Sequence, residues 1–432
     1  MGAEYCGAQC HWVGVCTAAQ GVAQTQAEPA GSSRGRMSGM GWIASVGLLG
    51  VAGAYLGRML QFRRAWQQQV AAGNQPSAHV ALPQPASATH AEAPAITIII
   101  AARNEAANLP LLLHDLAAQL PVSGGFEVLL VDDHSTDSTA QVVTRAAATS
   151  PFPLRLLPLA EVSGSPTGKK AAVQAAVQAA RAPWLLLTDA DCRLPAGWVQ
   201  AYAHCIARHP AARFISGPVL LTGHGWLATL QGLELAGLVG VGAASIGRGA
   251  PTMCNGANLA YRRADFFAVQ GFQGNEAVAS GDDEFLLHKL HAAFPGSIRF
   301  LGAEQAIVRT EAQPTLGRLL RQRVRWASKW RHYQTSAPQR LAVLVLLANL
   351  TFPVGAVLWL TAGVPAGVAV GVWAGKLLGD ALLLRPVLRF LGRSRWLWWV
   401  PVLQLAYAPY ALLTGLAGLR GRYEWKGRQV KS

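Results

Sequence analysis

The chain has 432 residues, a formal charge of +15, 51% hydrophobic residues against only 14% charged ones, and a mean hydropathy of +0.25. That balance excludes a wholly soluble chain and points to one partly embedded in a membrane. Nucleic acid, the other habitual partner of basic chains, is excluded because no basic patch with interleaved aromatics occurs; the positive excess flanks apolar segments, where it meets anionic lipid head groups.

Residues 1–39, rich in Gly, Ala and Gln, read as a disordered or mis-started N-terminus, with Met37 the more natural beginning. Cys6, Cys10 and Cys16 with His11 fit no zinc spacing, and Cys192, Cys205 and Cys254 are scattered, so no disulfide framework is expected. Residues 40–57 form an uncharged apolar transmembrane anchor. Arg58, Arg63 and Arg64 follow it, whereas a cleaved signal peptide carries its basic residues first. By the positive-inside bias they place the polar middle of the chain in the cytoplasm. Residues 67–94, made of Ala, Gln, Pro, Ser and His without apolar period, read as a linker.

Order begins with a β-branched strand at 96–101, and Asn104 is the expected N-cap of a helix over 106–120. A strand at 126–131 ends in Asp132 and Asp133, and HSTDST opens a helix to 148. A strand at 154–158, a Gly- and Ser-containing loop and a helix at 169–181 lead to WLLLTDADCRLP at 184–195. Strands alternating with helices at this spacing predict a parallel sheet with right-handed crossovers. Farther on, 214–221 reads as one strand, 226–244 as an apolar helix lying against the membrane, 252–261 as a loop and strand, and 318–333 as a basic amphipathic helix at the membrane surface.

Residues 341–364 and 366–384 are long enough to span, the second weakened by Lys376 and Asp380. Crossing out and back leaves Arg385, Arg389, Arg393 and Arg395 inside. A last apolar segment, 396–419, opens with Trp396, Trp398 and Trp399 in the manner of an interfacial belt. A full crossing there sends the basic tail 420–432 outside, against the bias. The alternative is a re-entrant hairpin broken at Pro401 and Pro409.

The two acids of TDAD stand at the C-terminal end of a buried strand, where open α/β sheets bind ligands. Carboxylates this close repel unless a cation lies between them, and oxygen donors suit Mg²⁺ or Mn²⁺. An Asp-rich turn is the plainer reading of that motif taken alone.

The motifs AARNEAANLP, VDDHSTDST, GKKAAVQAA, TDAD, NGANLAYRR, SGDDEFLL and QRVRW, in that order, resemble those of the family-2 inverting glycosyltransferases. The resemblance implies an α/β, Rossmann-like GT-A domain for nucleotide sugars at 95–335, with one N-terminal and two to three C-terminal transmembrane helices. In its terms Asp191 is the metal ligand, with Asp189 beside it on ribose or metal, and the ion is Mg²⁺ or Mn²⁺. Ala102, Glu105, Asp132 and Asp133 line base and ribose, and Lys169 lies near the nucleotide; helix-dipole compensation is the alternative for Glu105, and a solvated helix start for Lys169. Asp283 is the general base, Asp282 its neighbour where the family often has Glu, and Glu284 a further candidate. Gly256 and Asn258 close the acceptor side. Gln322, Arg325 and Trp326 form a QxxRW pattern in which Arg meets the diphosphate and Trp stacks on acceptor sugar or lipid.

The implied enzyme is a multi-pass protein of the cell or inner membrane that moves a sugar from a UDP-linked donor to a lipid or glycan and makes a β-glycosidic bond. A processive polysaccharide synthase is the alternative, and a non-catalytic membrane scaffold a third reading. A nucleotidyltransferase is disfavoured because AARNEAAN lacks the glycines that cradle a triphosphate.

Overall fold

The computed structural model describes residues 39–73, 94–161, 167–276, 278, 280–329, 336–361, 363–418, 422–425 and 428–431. The readings made for residues 1–38, for 74–93 of the linker and for 330–333 of the basic helix fall outside these residues.

Strand β1 (Ile96–Ala102) is buried on both faces, as a central parallel strand must be. It pairs in parallel with β2 (Phe126–Asp132) and β4 (Trp184–Asp189), and β3 (Leu154–Pro158) extends the sheet beyond β2. Helices α2 (Leu109–Ala117), α3 (Thr139–Ala147) and α4 (Lys169–Ala179) make the crossovers. After α5 (Trp198–Arg208) come β5 (Phe214–Ser216), β6 (Val219–Thr222), α6 (Gly225–Gly247), β7 (Leu259–Arg262), α7 (Arg263–Ala268), α8 (Asp282–Ala293), β8 (Ile298–Phe300) and β9 (Val308–Glu311). The seven-stranded sheet runs β3-β2-β1-β4-β7-β5-β8, and β6 pairs with β9 in a small separate sheet.

Several expectations are corrected. The sheet is mixed, because β7 runs antiparallel to both β4 and β5. The single strand at 214–221 is two strands in different sheets, parted at Gly217–Pro218, where proline withholds an N–H from the ladder. Asn104 caps no helix: it sits at φ +53°, its side chain accepts from the Thr136 N–H, and α2 begins only at Leu109.

The anchor is longer than its apolar part. Helix α1 (Gly39–Gly73) runs on through Gln67 to Gly73, since Arg, Gln and Ala are good helix formers, so the linker starts later than its composition suggests. Along one face Tyr55, Met59, Phe62 and Trp66 are buried, and the Trp66 ring packs against Phe300 at 5.7 Å and Phe390 at 5.4 Å. Phe300 belongs to the sheet and Phe390 to a C-terminal helix, so this indole joins the two layers.

That second layer contains α10 (Ser336–Thr361), α11 (Ala366–Phe390) and α12 (Val400–Gly418), and α9 (Leu316–Ser328) packs against α12. Among the described residues, five helical stretches are long and apolar enough to cross a membrane: α1, α6, α10, α11 and the segment Ser394–Gly418. Leu360, Val370, Leu405, Leu413 and Leu416 are more than half exposed, an apolar surface that water does not tolerate and acyl chains cover. Helix α12 is unbroken across Pro409, which overturns the hairpin reading. Both of its flanks meet earlier helices: a Cβ on Gly232 of α6 would strike the Trp396 ring, and one on Gly418 would lie 2.8 Å from Ala327 of α9. The tail resumes as a short antiparallel pair, β10 (Arg422–Trp425) and β11 (Arg428–Lys431).

Where α1 ends it crosses the chain after β8 backbone to backbone. A Cβ on Gly302 would lie 2.6 Å from the Gln69 carbonyl oxygen and 2.7 Å from Val70 Cα. Neither contact has a flexible end to yield, so Gly302→Ala is expected to cost about 1–3 kcal/mol, as overpacking does, read as a lower thermal midpoint of the detergent-solubilised protein.

Candidate active site

Register puts the first acids together. Ala101 of β1 stands beside Asp189 of β4, and Ala102 beside Asp132 of β2, so the loops leaving all three strands meet over one sheet edge. The loops after β1 and β2 are laced: the Asn104 N–H donates to Ser135 Oγ at 2.9 Å, and Asp137 accepts from the Ala106 and Thr139 N–H groups.

Above this edge lies a cavity of about 440 Å³. It gathers Ala102, Glu105, Asp133, Lys169, Asp189, Asp191, Gly256, Asp282, Asp283, Glu284, Gln322, Arg325 and Trp326, nearly every residue singled out from sequence. Two do not line it. Asp132 is buried and accepts the Ser135 N–H at 3.1 Å, so it shapes the turn. Asn258 is fully buried: its Oδ1 accepts from Trp198 Nε1 and the Tyr202 hydroxyl, and its Nδ2 donates to the carbonyls of Pro218 and Ala306. It is a keystone outside the cavity, not a wall of it.

Lys169 is the electrostatic centre. Its Nζ donates to Asp189 Oδ1 at 2.6 Å and stands 4.0 Å from Asp282 Oδ2. Burial pulls its pKa down, but the carboxylates of Asp189 and Asp282 outweigh that and hold it well above the ordinary lysine value. Gly168, at φ +109°, donates its N–H to Asp133 Oδ2 and so sets Lys169 at the first turn of α4.

The three acids of SGDDEFLL occupy the first turn of α8, where the helix dipole favours negative charge. They differ in surroundings. Burial raises the Asp282 pKa; Lys169 opposes this, and Asp283 and Asp189 add to it. Glu284 is paired with Lys329 at 2.9 Å. Asp283 Oδ1 accepts the Glu284 N–H, and a Cβ on Gly256 would come within 3.4 Å of Asp283 Oδ2 and 3.2 Å of Lys169 Nζ. Glycine at 256 therefore keeps open the gap between the lysine and this carboxylate.

The sequence reading missed Lys329, although Gln322, Arg325, Trp326 and Lys329 share one helical face by spacing. It also missed Asp115, whose carboxylate takes Arg193 bidentately at 2.6 and 2.7 Å and the Leu194 N–H at 3.0 Å, fixing the loop that carries Asp191. Burial raises the Asp115 pKa, but the hydrogen bonds from Arg193 and the Leu194 N–H, together with the Arg193 charge, more than offset it and the net shift is downward. No local pattern announces a contact between residues so distant in sequence. The cavity lining also has an apolar part, with Leu235, Leu238, Val239 and Ala243 of α6.

Among the described residues no cluster of three or more His, Cys, Asp or Glu side chains could hold a metal ion. The donor set of Asp189, half occupied by Lys169, and the exposed Asp191 instead suits a hard cation that draws its remaining ligands from water and substrate phosphates.

The chain matches the family model described as Glycosyl transferase family group 2 over residues 184–412, and that described as Glycosyl transferase family 2 over residues 97–264. The first match alone spans more than half of the chain. The protein belongs to the family-2 glycosyltransferases. Its α/β domain is accordingly of the GT-A type, with apolar helices on both sides of it in the chain.

Solved structures similar to this glycosyltransferase include the mannosyltransferase PcManGT from Pyrobaculum calidifontis in complex with GDP-Man and Mn²⁺, at 21% identity and a TM-score of 0.48, covering 85% of this chain and 99% of that one. Another is TarS of S. aureus in complex with UDP-GlcNAc, at 16% identity and a TM-score of 0.40, covering 78% and 96%. A third is the glucosyl-3-phosphoglycerate synthase of Mycobacterium tuberculosis in complex with Mn²⁺, UDP and glucosyl-3-phosphoglycerate, at 16% identity and a TM-score of 0.36, covering 52% and 74%. A search of curated proteins finds no match.

Asn258→Ala is expected to destabilise this glycosyltransferase by about 3 kcal/mol, because it strands two buried donors and two carbonyls at once. Thermal unfolding reads the loss directly.

Proposed function

We propose that this glycosyltransferase inverts configuration at the anomeric carbon, taking a sugar from a UDP-linked donor and passing it to the hydroxyl of a membrane lipid. One observation carries the reading: acids and cations from the strand ends, α8 and α9 and apolar side chains of α6 line a single cavity. A donor diphosphate matches the charged part of that lining, and an acceptor with a hydrocarbon portion matches the apolar part.

Asp191 and Asp189 would hold Mg²⁺ or Mn²⁺, whose bound charge neutralises the departing diphosphate. Glu105 and Asp133 would face the nucleoside, and Arg325 with Lys169 would supply cationic charge to the phosphates. In the transfer the acceptor oxygen bonds to the anomeric carbon as the carbon–oxygen bond to the diphosphate breaks. The nucleoside diphosphate leaves with the electron pair, and the hydroxyl proton passes to a carboxylate. Asp283 suits that role best, since Lys169 stands beside Asp282 and Lys329 neutralises Glu284.

The catalytic domain is read as cytoplasmic, from Arg58, Arg63 and Arg64 beyond the first apolar stretch of α1. The packing of both flanks of α12 against α6 and α9 supports a helix that lies at the interface, so that the basic tail stays on the same side.

Nucleotide release from a panel of nucleotide sugars with Mg²⁺ or Mn²⁺ tests the reaction; silence across the panel would reject it. Asp283→Asn is expected to lower kcat by about 10²–10⁴-fold with donor affinity by calorimetry nearly unchanged, and a fully active variant would move the base elsewhere. Asp191→Asn is expected to weaken metal-dependent donor binding itself, since an amide is a poorer ligand for a hard cation; unaltered metal dependence would remove it from the ion. A cysteine replacing the exposed Gln68 should stay unlabelled by an impermeant reagent in intact cells, and labelling from outside would invert the topology.

A further inference from the structure

Helix α9 presents Gln322, Arg325 and Trp326 to the cavity, yet its most buried charge, Arg323, does not line it. Arg323 reaches Glu234, the only charged residue of the apolar helix α6. Its Nη2 and Nε donate to Glu234 Oε2 at 2.8 and 3.1 Å. The other carboxylate oxygen accepts from the Tyr410 hydroxyl of α12 at 2.8 Å. The same guanidinium donates to Gln322 Oε1 and lies 4.2 Å from the centroid of the Trp326 ring. One side chain thus touches two of the three cavity-facing residues of its helix while it is tied to two other helices.

Stability alone is a poor reason for such an assembly, because a buried ion pair is often no better than apolar side chains of the same size. Directed hydrogen bonds to a planar guanidinium do something apolar packing does not: they fix its orientation, and with it the groups stacked and bonded on it. We propose that Glu234 and Tyr410 are positioning residues, which act through Arg323 to hold Gln322 and Trp326 at the acceptor side of the cavity. The inference rests on the transfer reaction proposed above. It adds that the geometry of this helix is set from α6 and α12.

The test uses the full chain in phosphatidylglycerol vesicles carrying diacylglycerol as a hydroxyl-bearing lipid, with UDP-glucose and Mg²⁺. Nucleotide release, donor affinity and hydrogen exchange of Leu316–Ser328 are followed for Glu234→Gln, Tyr410→Phe and the double variant Glu234→Leu with Arg323→Met. Glu234→Gln is expected to raise exchange across α9 and lower kcat by about 10–100-fold, the scale of an ångström-level misplacement, with donor affinity unmoved. Tyr410→Phe should act in the same direction and less strongly. The double variant should regain wild-type thermal stability and remain slow. A double variant that regains both stability and rate would reduce the assembly to a structural role, and unchanged exchange in Glu234→Gln would overturn the proposal. If the wild-type protein neither binds nor cleaves any nucleotide sugar, the transfer reaction falls, and exchange across α9 alone decides whether Glu234 anchors it.

Discussion

Concentrated negative charge is the constraint on which the catalytic domain is built. Asp133, Asp189, Asp191, Asp282, Asp283 and Glu284 all border one cavity, and like charges this close in a partly dry site are unfavourable without cations among them. Lys169 and Lys329 supply those cations from opposite sides, one at the start of α4 and one at the end of α9. Both are half-buried, and both keep their charge because the carboxylates outweigh desolvation. The two lysines therefore do more than decorate the site. They make it possible for the strand-end acids and the α8 acids to share a space that an anionic donor must enter.

The same constraint explains which parts of the site were legible in the sequence. Acids at strand C-termini stand out against apolar runs, and the register of β1, β2 and β4 turns that local signal into a shared edge. Asn258 stood out for the wrong reason. Its neighbours in NGANLAYRR mark a loop near the cavity, but its side chain meets buried donors and carbonyls contributed by α5 and by loops far along the chain, and no spacing encodes those. Asp115 was invisible because it sits among leucines on an ordinary crossover helix, and its partner Arg193 is 78 residues away. Fold prediction failed on similar grounds. Alternation of strands and helices gave the parallel half of the sheet, whereas the short strands β5, β7 and β8 carry too few residues for their direction to be read.

Membrane association and catalysis meet at α6. Its apolar character was plain, and the expectation that it lies against the membrane was half the story. Leu235, Leu238 and Val239 wall the cavity, while Gly237 and Gly240 of the same helix meet Leu384 and Val387 of α11. Small residues allow that close approach, as they do wherever helices pack without a hydrophobic gradient to drive them. One helix is therefore both the floor of the putting-together site and the ceiling of the apolar layer.

This arrangement limits where an acceptor can come from. A soluble glycan would approach the charged rim, and the apolar wall would then be surface without a purpose. A lipid acceptor lying in the apolar layer, as proposed above, would reach the cavity where α6 and α9 border it and the Glu234–Arg323–Tyr410 assembly joins them to α12. The donor, fully charged, has no path through that layer and must come from water. On the proposed reaction, two reactants that cannot share a solvent would meet in one cavity whose lining includes both Asp283 and apolar side chains of α6. Such an acceptor would also make its hydroxyl, once seated, the nearest nucleophile to the donor, since hydrocarbon packed against α6 would displace the water that competes with it.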